Sequence, residues 1–152
     1  MRIIKVVYVL AIAVLLVFLV VAGVDAFYPA PPYPEYPGSL GPPPPYESPE
    51  YEEWQEEWQK VQEQYRQEAA TRDRNVFFIV LPLGVLFSVG GTFIQRRLDI
   101  FGAGLILGGL GTMIYATVPY NLDSALRFAG IGVTLAVLLF VGYKVFFSLR
   151  RH

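Results

Sequence analysis

The chain has 152 residues, of which 54 % are apolar and 16 % are charged, with a net charge of −1, one histidine and no cysteine. This composition excludes disulfides, thiolate chemistry, sulfur-ligated metal centres and sites built on several histidines, and no basic patch of a nucleic-acid-binding domain is present. We therefore expect a protein that is not an enzyme and carries no metal or cofactor.

Four stretches of the chain contain no charged residue: 6–24, 76–94, 100–119 and 128–143. A helix needs about 20 apolar residues to cross the roughly 30 Å hydrocarbon core of a bilayer, so each stretch can span once, the last with help from the flexible stem of Lys144. The sequence predicts an all-α integral membrane protein with four transmembrane helices. The expected segments are a first span or signal anchor at 1–26, a Pro/Tyr-rich segment at 27–48, an amphipathic acidic helix at 49–74, and further spans at 75–95, 99–120 and 127–149.

The first span has two interpretations. Arg2 and Lys5 precede its apolar stretch, and Val24 and Ala26 provide the small residues of a signal-peptide cleavage site. The apolar stretch is longer than the usual 7 to 15 residues of a signal peptide, which favours a retained anchor. Cleavage would leave three transmembrane helices, and in both cases the segment 27–74 lies outside the cytoplasm.

The distribution of charge predicts the orientation. Seven of the 12 Lys and Arg residues fall at the N-terminus, between the second and third spans, and after the fourth span. Cytoplasmic flanks carry an excess of positive charge, so both termini are expected in the cytoplasm and the protein in the plasma membrane. Arg72 and Arg74, next to the second span, favour the opposite orientation. The outer region 25–75 is acidic, with 11 Asp and Glu against 4 Lys and Arg.

Ten of the 12 prolines lie between Pro29 and Pro49, interleaved with tyrosines. Proline fixes φ and removes a hydrogen-bond donor, so this segment is predicted to be extracytoplasmic polyproline II with a turn between Gly38 and Gly41. By itself the pattern is also that of a semi-rigid spacer.

An amphipathic helix is predicted to begin at Ser48, with the Ser48 hydroxyl as its cap, Pro49 in its first position and acidic residues in its first turn. Glu56 with Lys60, and Glu68 with Arg72, have the spacing of helical ion pairs. An aromatic stripe recurs every three or four residues and is the candidate partner-binding face. Its members are Tyr51, Trp54, Trp58, Val61 and Tyr65.

Three alternatives remain for the surface that packs against the aromatic stripe. The proline segment 28–37 would extend about 31 Å as polyproline II and residues 51–72 about 33 Å as helix, so the two could pack as a hairpin stalk with proline rings on Trp54 and Trp58. The helix could instead lie at the membrane surface, or pair with another chain as a coiled coil.

Small residues recur four or three positions apart in the second and third spans, and this spacing allows close approach of helix backbones in lipid. We expect these two spans to form a tight hairpin, although glycine is also simply frequent in membrane helices. The candidate packing residues are Gly84, Ser88 and Gly91 in the second span and Gly104, Gly108, Gly111 and Thr112 in the third. Gly90, Gly102 and Gly109 fall outside this stripe.

No ionisable residue lies within the four apolar stretches, which is unlike ion-coupled transporters and voltage sensors. The leading hypothesis is a structural, assembly or interaction component that acts through its outer stalk, as a homo-oligomer or in a larger membrane complex. The alternative is a small channel or transporter subunit with a path between protomers lined by hydroxyls and glycines.

Overall fold

The structure, a computed structural model, describes residues 2–34, 41–95 and 99–149. Within those ranges the regular secondary structure is helical, and it consists of α1 (Arg2–Phe27), α2 (Pro49–Ile94), α3 (Asp99–Thr117) and α4 (Ser124–Leu149). All four helices are long and apolar enough to cross a membrane. The prediction of an all-α chain with four such helices is confirmed at this level.

Helix α2 is continuous over 46 residues and includes both the amphipathic helix predicted at 49–74 and nearly all of the span predicted at 75–95. Only Asn75 stands between the charged Arg74 and the apolar Val76, so no glycine or proline interrupts the helix there. Pro82 lies further on, inside the helix. We call residues 49–74 the stalk half of α2 and residues 75–94 its apolar half.

The other helix boundaries differ from the expected ones by a few residues. Helix α3 ends at Thr117, before Pro119, rather than at 120. Helix α4 begins at Ser124 rather than at 127, and the Arg127 amide donates to the Asp123 carbonyl at 2.9 Å in its first turn.

The start of α2 corrects one expectation. Pro49 occupies the first turn together with Glu50 and Glu52, but the side chain of Ser48 makes no capping hydrogen bond. Its hydroxyl donates instead to the Pro45 carbonyl at 3.0 Å, so Ser48 closes the turn that precedes the helix.

Helix α3 is the central helix and packs against the other three. It runs parallel to α1, since Gly104 lies beside Ile12 and Gly108 beside Leu16. It runs antiparallel to α2, since Gly109 lies beside Gly84 and Gly102 beside Gln95.

Among the described residues, two small buried clusters hold the bundle together. The larger one joins Val20 of α1, Phe77 and Val80 of α2, and Ala116 of α3. The second joins Ile106 and Met113 of α3 to α4. The outward surfaces of α1 and α4 stay exposed and apolar, with Leu19 69 % and Phe128 80 % exposed.

Candidate functional site

Arg72 joins the stalk half of α2 to the end of α1. Its Nε donates to the Tyr28 carbonyl at 2.8 Å, and its guanidinium lies 3.3 Å from an Asp25 carboxylate oxygen and 3.6 Å from one of Asp73. Asp73 is buried, whereas Asp25 is 65 % exposed at its side chain. The expected Glu68–Arg72 pair is wrong: within the described residues, Arg72 pairs with these two aspartates.

The Pro/Tyr-rich segment returns along the stalk half of α2. The ring of Tyr33 lies 5.5 Å from that of Tyr65, and the ring of Tyr46 lies 5.0 Å from that of Tyr51. Together with the contact at Arg72, these pairs place the early part of the segment beside the end of the stalk half and the late part beside its start. This antiparallel order is the one that a hairpin stalk requires.

The aromatic stripe therefore lies against its own chain. Trp54 is buried, and the four other members, Tyr51, Trp58, Val61 and Tyr65, are half-buried. The ring of Trp54 stacks at 6.2 Å on Tyr51 and at 6.2 Å on Trp58. A partner-binding role of this stripe stays a prediction, and much of its surface is already in contact within the chain.

Of the turn predicted between Gly38 and Gly41, residues 38–40 lie outside the described residues, as does Pro37, one of the prolines expected to pack on the tryptophans. Gly41 directly follows them with a φ of 63°, a left-handed conformation that glycine adopts at little cost. Glycine is the usual residue where a tight turn requires this conformation.

The opposite face of the stalk half is acidic and open to solvent. Glu52, Glu56 and Glu63 are all exposed there. Among the residues that the structure describes, no three His, Asp or Glu side chains are grouped so that they could hold a metal ion. This face is a charged surface without a metal-binding geometry.

Helices α2 and α3 approach through glycines on both sides. A methyl group added at Gly109 would lie 2.6 Å from the Ser88 amide nitrogen and 2.7 Å from the Gly84 carbonyl oxygen. One added at Gly91 would lie 2.8 Å from the Gly102 carbonyl oxygen. Because the obstructing atoms belong to the backbone, these positions cannot accept a side chain without separating the helices.

The glycines of the predicted α3 stripe face a different helix from the one expected. Gly104 and Gly108 lie against Ile12 and Leu16 of α1, where a methyl group would come within 2.6 Å of a side-chain carbon, and Gly111 lies against Val17. The α2–α3 hairpin uses Gly102 and Gly109 instead. The sequence signal for this interface is a seven-residue spacing: Gly84 to Gly91 in α2 and Gly102 to Gly109 in α3.

The hydroxyl groups within these helices bind backbone carbonyls. Thr112 is fully buried and donates to the Gly108 carbonyl at 2.8 Å, and Thr134 donates to that of Gly130 at 2.8 Å. Ser88, also fully buried, donates to Ile106 across the α2–α3 interface at 3.4 Å. Thr92 donates to the Val89 carbonyl.

Sequence reasoning missed the residues that join separate segments, namely Tyr33, Arg72 and Gly130. Gly130 of α4 faces the Phe77 ring of α2, with 2.7 Å between an added methyl group and a ring carbon. No spacing along the chain indicates such contacts, because each depends on how distant segments fold together. No family model, curated protein or solved structure matches this chain.

Proposed function

We propose that the protein is a non-enzymatic integral membrane component that spans the bilayer four times and assembles with a protein partner through a rigid extracytoplasmic stalk. The continuity of α2 carries the proposal, because one helix joins a charged, solvent-facing half to an apolar half. At 1.5 Å per residue, the stalk half is about 39 Å long and the apolar half about 30 Å, roughly the thickness of the hydrocarbon core.

The outward surface of the bundle supports insertion into a membrane. Phe18 and Leu19 of α1 are 66 % and 69 % exposed, and Phe128 and Leu139 of α4 are 80 % and 65 % exposed. Soluble proteins rarely expose continuous apolar surfaces of this extent, whereas lipid chains solvate them well.

Aromatic side chains support the same placement. Tyr8 and Tyr143 are exposed near one end of the bundle, and Tyr28 and Tyr120 near the other. Tyrosine is enriched at both membrane–water interfaces. In the proposed orientation, both termini are cytoplasmic, the membrane is the plasma membrane, and the stalk and its proline segment are extracytoplasmic.

The proline segment gives the stalk its stiffness. Contacts at Arg72 and Tyr65 attach it near the end of the stalk half, and Tyr46 packs on Tyr51 at its start. Most of the stability of a helix in water comes from the packing of its apolar face, so the attached segment helps to keep the stalk half formed and projecting. The surface left for a partner is the acidic face of Glu56 and Glu63. The partner is a second copy of the chain or a component of a larger complex.

Buried hydroxyls favour this proposal over a channel or transporter subunit. Ser88 and Thr112 are fully buried inside the protomer, and each donates to a carbonyl group. The Ser88 hydroxyl joins α2 to α3 and the Thr112 hydroxyl bonds its own helix, so neither is available to line a path between protomers.

The test combines labelling with crosslinking in native membranes. A cysteine at Glu56 should react with a membrane-impermeant maleimide in intact cells, and a matched cysteine at Lys144 only after lysis. A photo-crosslinking residue at Glu56 should capture a defined protein, while the same residue at Leu139 on α4 should not capture it. The reverse labelling pattern would overturn the topology, and failure of the Glu56 probe to capture any protein would overturn the role of the stalk.

A further inference from the structure

An open apolar groove runs along the seam between α1 and α3. Its upper part, nearer the C-terminal end of α1, has a volume of about 460 Å³. It is lined by α1 side chains from Leu10 to Val21 and by Leu107 and Gly111 of α3. Every residue of this lining is apolar or glycine. In a membrane, such a groove is filled by hydrocarbon.

The lower part of the groove adds two charges of opposite sign. It has a volume of about 310 Å³, shares Leu10 and Leu107 with the upper part, and is lined at its end by Lys5 and Asp99. Both charged residues are exposed, and within the described part of the chain neither forms an ion pair. From Lys5 to Val21 the groove extends about 24 Å along α1, at 1.5 Å per residue.

We propose that this α1–α3 groove binds one zwitterionic phospholipid with a primary-amine headgroup, of the phosphatidylethanolamine class. The inference rests on the membrane insertion proposed above. An acyl chain occupies the apolar lining, the phosphate lies at the Lys5 ammonium, and the headgroup ammonium lies at the Asp99 carboxylate. The polar groups stand at one end only, which fixes the direction of the lipid and places it in the leaflet on the Lys5 side.

The pair of charges selects among headgroups. A phosphatidylcholine headgroup carries the same charges, but its quaternary ammonium has no N–H to donate to Asp99. A phosphatidylglycerol headgroup carries only the negative charge, so it leaves Asp99 without a cation. An ammonium that donates hydrogen bonds to a carboxylate makes the stronger, charge-assisted contact.

The test is native mass spectrometry of the full-length protein released from vesicles of equal parts phosphatidylethanolamine, phosphatidylcholine and phosphatidylglycerol. The expected result is one retained phosphatidylethanolamine per protomer. Leu107→Trp, at the position shared by both parts of the groove, should abolish this retention, and Leu139→Trp on α4 should leave it intact. Loss of one exposed charge contact corresponds to about a fivefold weaker preference, so Asp99→Asn should remove most of the preference over phosphatidylcholine, and Lys5→Gln should weaken retention of both lipids.

Equal retention of the three lipids, or a preference for phosphatidylglycerol, would overturn the inference. So would a change of oligomeric state in Leu107→Trp without a change in bound lipid, because the groove would then hold a second copy of the chain. Alkaline extraction of the membranes separates the two proposals. Protein that stays in the pellet but shows no headgroup preference contradicts the lipid site alone, and protein released into the supernatant contradicts membrane insertion as well.

Discussion

The two halves of α2 contact their neighbours by opposite means. In the apolar half, Gly84 and Gly91 bring the backbone of α3 close by having no side chain. In the stalk half, Trp54 and Tyr65 place large rings against the chain. In water, burial of a ring is itself favourable, whereas in lipid it gains little and close contact between backbones matters more. Substitutions that add side-chain atoms should therefore destabilise the apolar half, and substitutions that remove them should destabilise the stalk half.

The largest effect is expected at the α2–α3 interface. Gly109→Ala should destabilise the bundle by about 3 kcal/mol, because the added methyl group meets backbone atoms of Ser88 and Gly84 that cannot move separately. Thermal unfolding of the purified protein in detergent, with the yield recovered from membranes, measures this loss.

Two neighbouring glycines provide matched controls. Gly90 has no atom within 4 Å of an added methyl group, so Gly90→Ala should be neutral or stabilising by up to about 1 kcal/mol through helix propensity. Gly108→Ala should fall between the two, since the closest atom, at 2.6 Å, is the movable end of the Leu16 side chain and the nearest backbone atom, the Ala13 Cα, is 3.2 Å away. Equal stability of all three variants would contradict the role of backbone contact.

The stalk half should lose stability when a buried side chain is removed. Trp54→Ala removes a buried ring that stacks on Tyr51 and Trp58, and we expect a loss of about 2 to 3 kcal/mol in local stability, less than for a ring enclosed in a full core. Trypsin should then cleave faster after Lys60 and Arg66, while bundle unfolding stays unchanged. The exposed Glu56→Ala is the control, and equal cleavage rates in the two variants would count against the hairpin stalk.

How much the sequence predicts depends on whether a feature is local. The four apolar helices follow from the length of uncharged stretches and the aromatic stripe from helical periodicity; both are properties of single segments, and both are present. The partner of each helix face is not a local property. Gly104 and Gly108 formed the more regular stripe and were expected to face α2, yet they face α1. A stripe of small residues does not specify which helix packs against it, so the partner of the stripe depends on how all the helices of the bundle pack together.

The stalk half shows the same limit. The matching lengths of the proline segment and the helix suggested a hairpin, but they could not identify Arg72 as its attachment to α1. The spacing of Glu68 and Arg72 indicated an ion pair on the helix surface. Arg72 instead reaches Tyr28 and Asp73, where a carbonyl group and a buried carboxylate offer stronger contacts than an exposed glutamate.

A smaller effect is expected at this attachment. Arg72→Gln should release the end of α1 from the stalk half at a cost of about 1 to 2 kcal/mol, because Asp73 would lose its cation and the Tyr28 carbonyl its donor. Asp25→Asn should cost less than about 0.5 kcal/mol, since the Asp25 carboxylate is largely exposed. Hydrogen exchange of residues 25–34 measures the release. Arg74→Gln is the control. A similar increase in the exchange of residues 25–34 in this variant would show that the loss of a positive charge alone releases the segment.

The smallest effect is expected at the buried hydroxyls. It distinguishes a role of these groups in helix packing from a role in conduction. Thr112→Val keeps the shape of the side chain and removes one hydrogen bond to the Gly108 carbonyl, and Ser88→Ala removes a long one to Ile106. Hydrogen bonds of this kind within membrane proteins contribute on average about 0.6 kcal/mol, so unfolding temperatures should hardly change. The ion and solute permeability of vesicles that contain either variant should equal that of vesicles with the unaltered protein. A change in permeability at unchanged stability would mean that these hydroxyls line a path, and function would then belong to the apolar half of α2 rather than to the stalk half.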